Sequence, residues 1–129
     1  MSCSQTPREI NYGTDMCAFC KMSVVDAQFA AQAVTKKGKI YVFDAIECLI
    51  PFVQEHQDKG FSHLLVCAYD KPGELIDART AKYLISENIP SPMGKNLSGY
   101  STEEATKRTQ SEKGGTIYEW ENLNNKIFK

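Results

Sequence analysis

Two histidines and one tryptophan are few for 129 residues, and several larger features are missing altogether. No apolar run approaches the ~20 residues that a membrane-spanning helix requires. There is no glycine-rich phosphate loop, and no Ser/His/Asp set or carboxylate pair has a spacing that points to catalysis. Neither charge sign is in excess: 15 Lys and Arg against 16 Asp and Glu give a net charge of −1 and a pI near 6.1. That argues against nucleic-acid binding, which depends on a basic face. The Lys36-Lys37-Gly38-Lys39 run reads as a solvated turn, not a phosphate-binding patch. Hydrophobic residues make up 42% of the chain and charged residues 24%, an ordinary globular balance. The length suits one core, or two small lobes sharing one.

Sulfur is what the chain has in concentrated form. Of five cysteines and four methionines, two of each fall within Asp15-Met16-Cys17-Ala18-Phe19-Cys20-Lys21-Met22. Thiolate and thioether are soft donors, and clustering them suits Cu(I) above all. A tight turn over Cys17–Cys20 would bring both thiolates to one point. If the chain is extended after Cys20, Met22 points to the same side. The same pair would also serve in a structural zinc site or as a redox couple, and most methionines are core residues. A redox pair needs a helix beginning at its first cysteine. Asn11, Gly13 and Asp15 read instead as loop.

Along the chain, residues 1–14 read as a flexible leader, 15–72 as a first unit and 73–129 as a second. Phe29–Thr35 and Ile40–Phe43 form a predicted hairpin about the lysine-glycine turn. Asp44 and Glu47 have the spacing of a capping box. Behind them Ile46, Leu49, Ile50 and Val53 give a helix one apolar face. Pro51 is expected to bend that helix and Gly60 to end it. Leu64–Tyr69 reads as a buried strand, closed by a turn at Lys71-Pro72-Gly73. In the second half, Ala81–Ile85 and Leu97–Tyr100 are candidate strands. Ser101 and Glu104 repeat the capping box before a polar helix, which Gly114-Gly115 stops, and Thr116–Trp120 alternates as a strand. Each half scans as ββαβ. The expected fold class is α+β: two repeated ββαβ units, an internal duplication, with helices packed on mainly antiparallel sheet.

Between the units, Ile89-Pro90-Ser91-Pro92-Met93-Gly94 offers Met93 as the one large apolar side chain at a stiff loop tip. It is a candidate sulfur ligand to an ion held by Cys17 and Cys20, or else a hydrophobic anchor for the loop. Cys48 reads first as a buried, inert helix thiol, and second as an additional ligand, since the first helical turn can face a site at the strand end. Cys67 reads as core. His56 and His63 flank the first helix and the next strand as weaker metal candidates. Cys3, in the polar Met1-Ser2-Cys3-Ser4-Gln5 segment, has the placing of a lipoprotein's acylated cysteine after its signal has been trimmed. A chance exposed thiol is the alternative.

With these pieces placed, the chain resembles the NosL family. The matching features are Cys17, Cys20 and Met22 as C-x-x-C-x-M, Phe29-Ala30-Ala31-Gln32, Gly38-Lys39, and Tyr41-Val42-Phe43-Asp44-Ala45-Ile46-Glu47-Cys48. In the second half they are Ile76-Asp77-Ala78 with Ala81 and Tyr83, Ser91-Pro92-Met93-Gly94, and Gly114-Gly115. The resemblance implies a Cu(I)-binding chaperone, not an enzyme, built from paired ββαβ units and held on the periplasmic side of the cell by a lipid on Cys3. It further implies copper delivery for nitrous oxide reductase, alongside an associated ABC transporter complex. Cys17, Cys20, Met22 and Met93 would be the copper ligands. Some family members carry a histidine inside C-x-x-C, where this chain has Ala18-Phe19. Two other readings stay open: a zinc module using Cys17, Cys20, Cys48 and either Cys67 or His63, and a thiol-disulfide oxidoreductase using Cys17 and Cys20.

Overall fold

The computed structural model describes residues 6–128. Cys3 lies outside them. Seven strands form one sheet: β1 (Ala31–Thr35), β2 (Ile40–Phe43), β3 (Phe61–Ala68), β4 (Lys71–Asp77), β5 (Lys82–Ile85), β6 (Leu97–Tyr100) and β7 (Thr116–Glu119). Two main helices accompany them, α1 (Ile46–Glu55) and α2 (Glu103–Lys113). The fold is α+β, as the alternation of strands and helical stretches implies.

The strand order is β2-β1-β3-β6-β5-β7, with β4 also paired to β3. Within β2-β1-β3 and within β6-β5-β7 every pairing is antiparallel. The two sets join at a single parallel contact, Ala68 beside Gly99. Glycine keeps this junction close: a Cβ there would stand 3.3 Å from Val66 Cγ2 and 3.4 Å from Ile46 Cδ1. Its absence lets the first turn of α1 settle directly on the join.

Several expectations are corrected. Asp44 does not cap α1. The N-cap is Ala45, with no side-chain cap bond, because the buried Asp44 carboxylate takes the Val25 N–H instead. Gly60 follows a short 3-10 turn at Gln57–Lys59 instead of terminating α1 itself. The second cap is Thr102, one residue later than Ser101, with its Oγ1 accepting the Ala105 N–H at 3.1 Å. Lys71-Pro72-Gly73 is not a closing turn. It begins β4, a largely exposed strand, and proline is tolerated where a strand lies at an edge. Trp120 leaves β7 to open a short helical segment that runs on to Ile127. The residues just before the cysteine segment also join the fold from Arg8. Gln32, buried in β1, accepts the Arg8 N–H and donates to the Arg8 carbonyl, and Ile10 is in the core.

Gly115 is the position where a methyl group should do most damage to the scaffold. Its φ is +111°, and a Cβ would lie 2.3 Å from the Ile85 carbonyl oxygen and 2.9 Å from Ser86 Cβ. Gly115→Ala is expected to lower unfolding free energy by about 3 kcal/mol or more, through backbone strain and a forced separation of β5 from β7. Denaturant unfolding of the variant beside the parent measures it.

Candidate metal centre

The cysteine segment is a small hairpin clipped onto the sheet. Met16 and Ser23 pair as an isolated bridge, the Cys17 N–H donates to the Met22 carbonyl at 2.8 Å, and the Val24 N–H donates to the Asp15 carbonyl at 2.8 Å. Inside the turn, Lys21 N–H donates to the Cys17 carbonyl, and Lys21 has a φ of 70°. The chain is therefore not extended after Cys20, so the expected shared side for Cys20 and Met22 does not follow from strand alternation. The Ala18 N–H donates to the Val42 carbonyl at 2.8 Å, which docks the turn on β2. Arg8 braces the base through a two-pronged ion pair with Asp15, at 2.8 and 3.0 Å.

This docking lays Cys17 against the first turn of α1, where Cys48 sits. The sulfurs of Cys17, Cys20 and Cys48 all lie within 4.8 Å of one another. Cys17 and Cys48 are buried and Cys20 is half-buried, so the group opens to solvent on the Cys20 side. None of the three is in a disulfide. Cys48 is the residue that sequence reasoning undervalued. The usable signal was its place in the first helical turn just after a strand. Its partners lie some thirty positions upstream, and tertiary ties such as the Ala18–Val42 and Val25–Asp44 bonds bring them there.

Electrostatically the three thiols are unequal. Cys17 is pulled down to about 5, chiefly because the Cys48 S–H donates to it. Backbone N–H groups of Cys20, Asp44 and Phe19 add to this against the opposing effect of burial. The Cys20 N–H reaches the Cys17 sulfur at 3.4 Å. Cys48 is pushed far up because its proton is held by Cys17, and burial pushes Cys20 up as well. One thiolate thus stands ready at neutral pH with two thiols beside it, which is a soft-donor set able to take a metal ion.

The remaining candidates are placed as follows. Met22 is 57% exposed on the return arm of the hairpin. Met93 is 39% exposed and lines a shallow depression together with Phe19 and Glu47, the chain neighbours of Cys20 and Cys48. Cys67 is not gathered with the other cysteines: it is buried in β3, with its sulfur 3.4 Å from the Tyr12 hydroxyl. His63 bonds the Ser62 hydroxyl, and His56 packs on the Phe52 ring. The fourth ligand of the closed zinc set is therefore not assembled among the described residues. A lowered Cys17 alone would also suit a redox couple. However, no helix begins at Cys17, and its side chain is 1% exposed.

The NosL family model matches residues 8–128. The chain belongs to the NosL family. Among NosL proteins, the copper-binding lipoprotein NosL of Stutzerimonas stutzeri is 25% identical over 126 residues, covering 92% of this chain. The chain spans 66% of that relative's length. The crystal structure of the copper chaperone NosL from Shewanella denitrificans superposes with a TM-score of 0.80 at 19% identity, covering 95% of this chain and 98% of that one. The NosL fold is thereby established for this sequence. Both relatives are named for handling copper and neither for catalysis.

Proposed function

We propose that this chain is a metallochaperone that carries Cu(I) and hands it on for the maturation of nitrous oxide reductase. The observation that carries the reading is the gathering of Cys17, Cys20 and Cys48 into one sulfur cluster at the surface end of the hairpin. In the proposal, Cys17 and Cys20 are the primary thiolates, Cys48 is a third, and Met22 and Met93 supply thioether. Sulfur donors favour the monovalent ion. A site of sulfur donors with one open side suits handover, because an incoming donor can bond before the old ones leave. The N-terminal segment would be acylated at Cys3 and hold the protein on the periplasmic side of a membrane. The copper-delivering partners would be nitrous oxide reductase and its associated ABC transporter complex. The family membership and the relatives' names support the copper-binding, chaperone and lipoprotein parts of this reading.

The test is transfer. Protein loaded with one Cu(I) and mixed anaerobically with copper-free nitrous oxide reductase, in the presence of the transporter complex, is expected to restore its copper content and activity. Free Cu(I) at the same chelator-buffered level should not. Equal restoration by buffered copper alone would remove the delivery role while leaving copper binding intact.

A further inference from the structure

The Met93 loop is hydrogen-bonded to the helix that carries Cys48 through the side chain of Glu47. Glu47, next to Cys48 in the first turn of α1, is 5% exposed. One of its oxygens, Oε2, accepts the Ser91 hydroxyl and the Lys95 N–H, the latter at 2.9 Å. The Ser91 oxygen in turn accepts the Asn96 N–H at 2.9 Å. Between these anchors the chain makes a tight turn, with the Gly94 N–H on the Ser91 carbonyl at 3.0 Å and Gly94 at φ +83°. Met93 stands at its outer corner. Both ends of the loop are thus gathered on one carboxylate oxygen, while Oε1 has no hydrogen-bond partner among the described residues. A buried carboxylate is expensive unless its bonds are well made, so a role in cap formation would be the natural one. That role is absent here, since the N-cap is Ala45 and has no side-chain bond. What Glu47 does hold is the position of the Met93 loop relative to the cysteine cluster.

We infer that Glu47 is the positioning residue that sets the Met93 thioether against the cysteine site, so that this soft donor is in place before copper arrives. The inference rests on the reading of Met93 as a copper ligand. Losing the carboxylate unties the loop from α1, and the thioether must then be placed at the moment of binding, which weakens its share of the affinity.

A double-mutant cycle on Cu(I) affinity, measured anaerobically against a competing Cu(I) chelator, tests it. Glu47→Ala is expected to weaken binding ~10-fold, in the range known for groups that orient a metal ligand. Met93→Leu is expected to weaken it by at least as much. The double variant should bind like Met93→Leu alone, because Glu47 acts only through Met93. Glu47→Gln keeps an oxygen that can accept both bonds and should restore most of the affinity. X-ray absorption should show one sulfur neighbour fewer in Glu47→Ala and the full set in Glu47→Gln. Ser91→Ala cuts the same tie from the loop side, leaves α1 untouched and should shift affinity in the same direction, so an unstable Glu47→Ala does not decide the matter. An equal loss on adding Glu47→Ala to Met93→Leu, or an unchanged sulfur count in Glu47→Ala, overturns the inference. An unchanged affinity in Met93→Leu by itself overturns the ligand reading beneath it, and the two failures are told apart by which single variant is silent.

Discussion

Cys17→Ser is expected to lower Cu(I) affinity by more than ~100-fold, a larger loss than substitution of either Cys20 or Cys48. Removing a ligand should exceed the 10–100-fold typical of losing a group that merely orients one. Cys17 is more than one ligand among three. It is the sulfur toward which the Cys48 S–H and the N–H groups of Cys20, Asp44 and Phe19 are directed. Those donors stabilise an anion in the absence of metal, so the protein arrives with one thiolate already formed. A serine hydroxyl at this position is a hard, protonated oxygen and a poor partner for a soft ion. Serine is near in size to cysteine, and the fold should survive, which far-ultraviolet circular dichroism checks. Competition against a Cu(I) chelator under anaerobic conditions gives the number. An affinity within a few fold of the parent would take Cys17 out of the site.

The second large effect is on pH. A thiol must lose its proton to bind the metal, so each protonated ligand makes affinity rise with pH. Cys17, at about 5, is already a thiolate across the neutral range and contributes no slope there. Cys20 and Cys48 are both shifted upward, so both remain thiols at neutral pH. If all three bind, two protons leave, and affinity should rise roughly 100-fold per pH unit between about pH 6 and 8. Below about 5, Cys17 also protonates, a third proton competes, and the fall steepens toward roughly 1,000-fold per unit. A slope of only one proton near neutrality would mean that one of Cys20 and Cys48 stays outside the copper's ligand set. In the metal-free protein, one thiolate absorption band should disappear on acidification with a midpoint near 5, and Cys17→Ser should lack it.

Much of this architecture is legible in the residues because local and tertiary signals agree. The apolar run Tyr41-Val42-Phe43 reflects a strand buried on both faces and the spacing of Ile46, Leu49 and Ile50 a helix buried on one, and the structure buries those residues except half-buried Tyr41. Leu97–Tyr100 appears with the expected boundaries. Strand β4 is illegible for a physical reason: Pro72 and Gly73 are turn formers, and an edge strand with exposed side chains needs no apolar alternation to declare it. Asp44 misleads because a capping pattern and a buried loop-to-loop bond use the same residue type. Here the Val25 N–H takes the carboxylate that the helix would have used. The cysteine pair declares itself by spacing. Cys48 joins it through the docking of the hairpin on β2 and on Asp44, a tertiary event that sequence proximity does not encode. Glu47 is a similar case, since its partners Ser91 and Lys95 lie across the junction between the two strand sets.

X-ray absorption at the copper edge of the singly loaded protein tests the central claim most directly. Cu(I) held by the thiolates of Cys17, Cys20 and Cys48 with a methionine thioether gives a first shell of sulfur neighbours, and Cys17→Ser should disrupt it. A shell dominated by nitrogen or oxygen, or one unaltered in Cys17→Ser, would place the copper elsewhere and contradict the account.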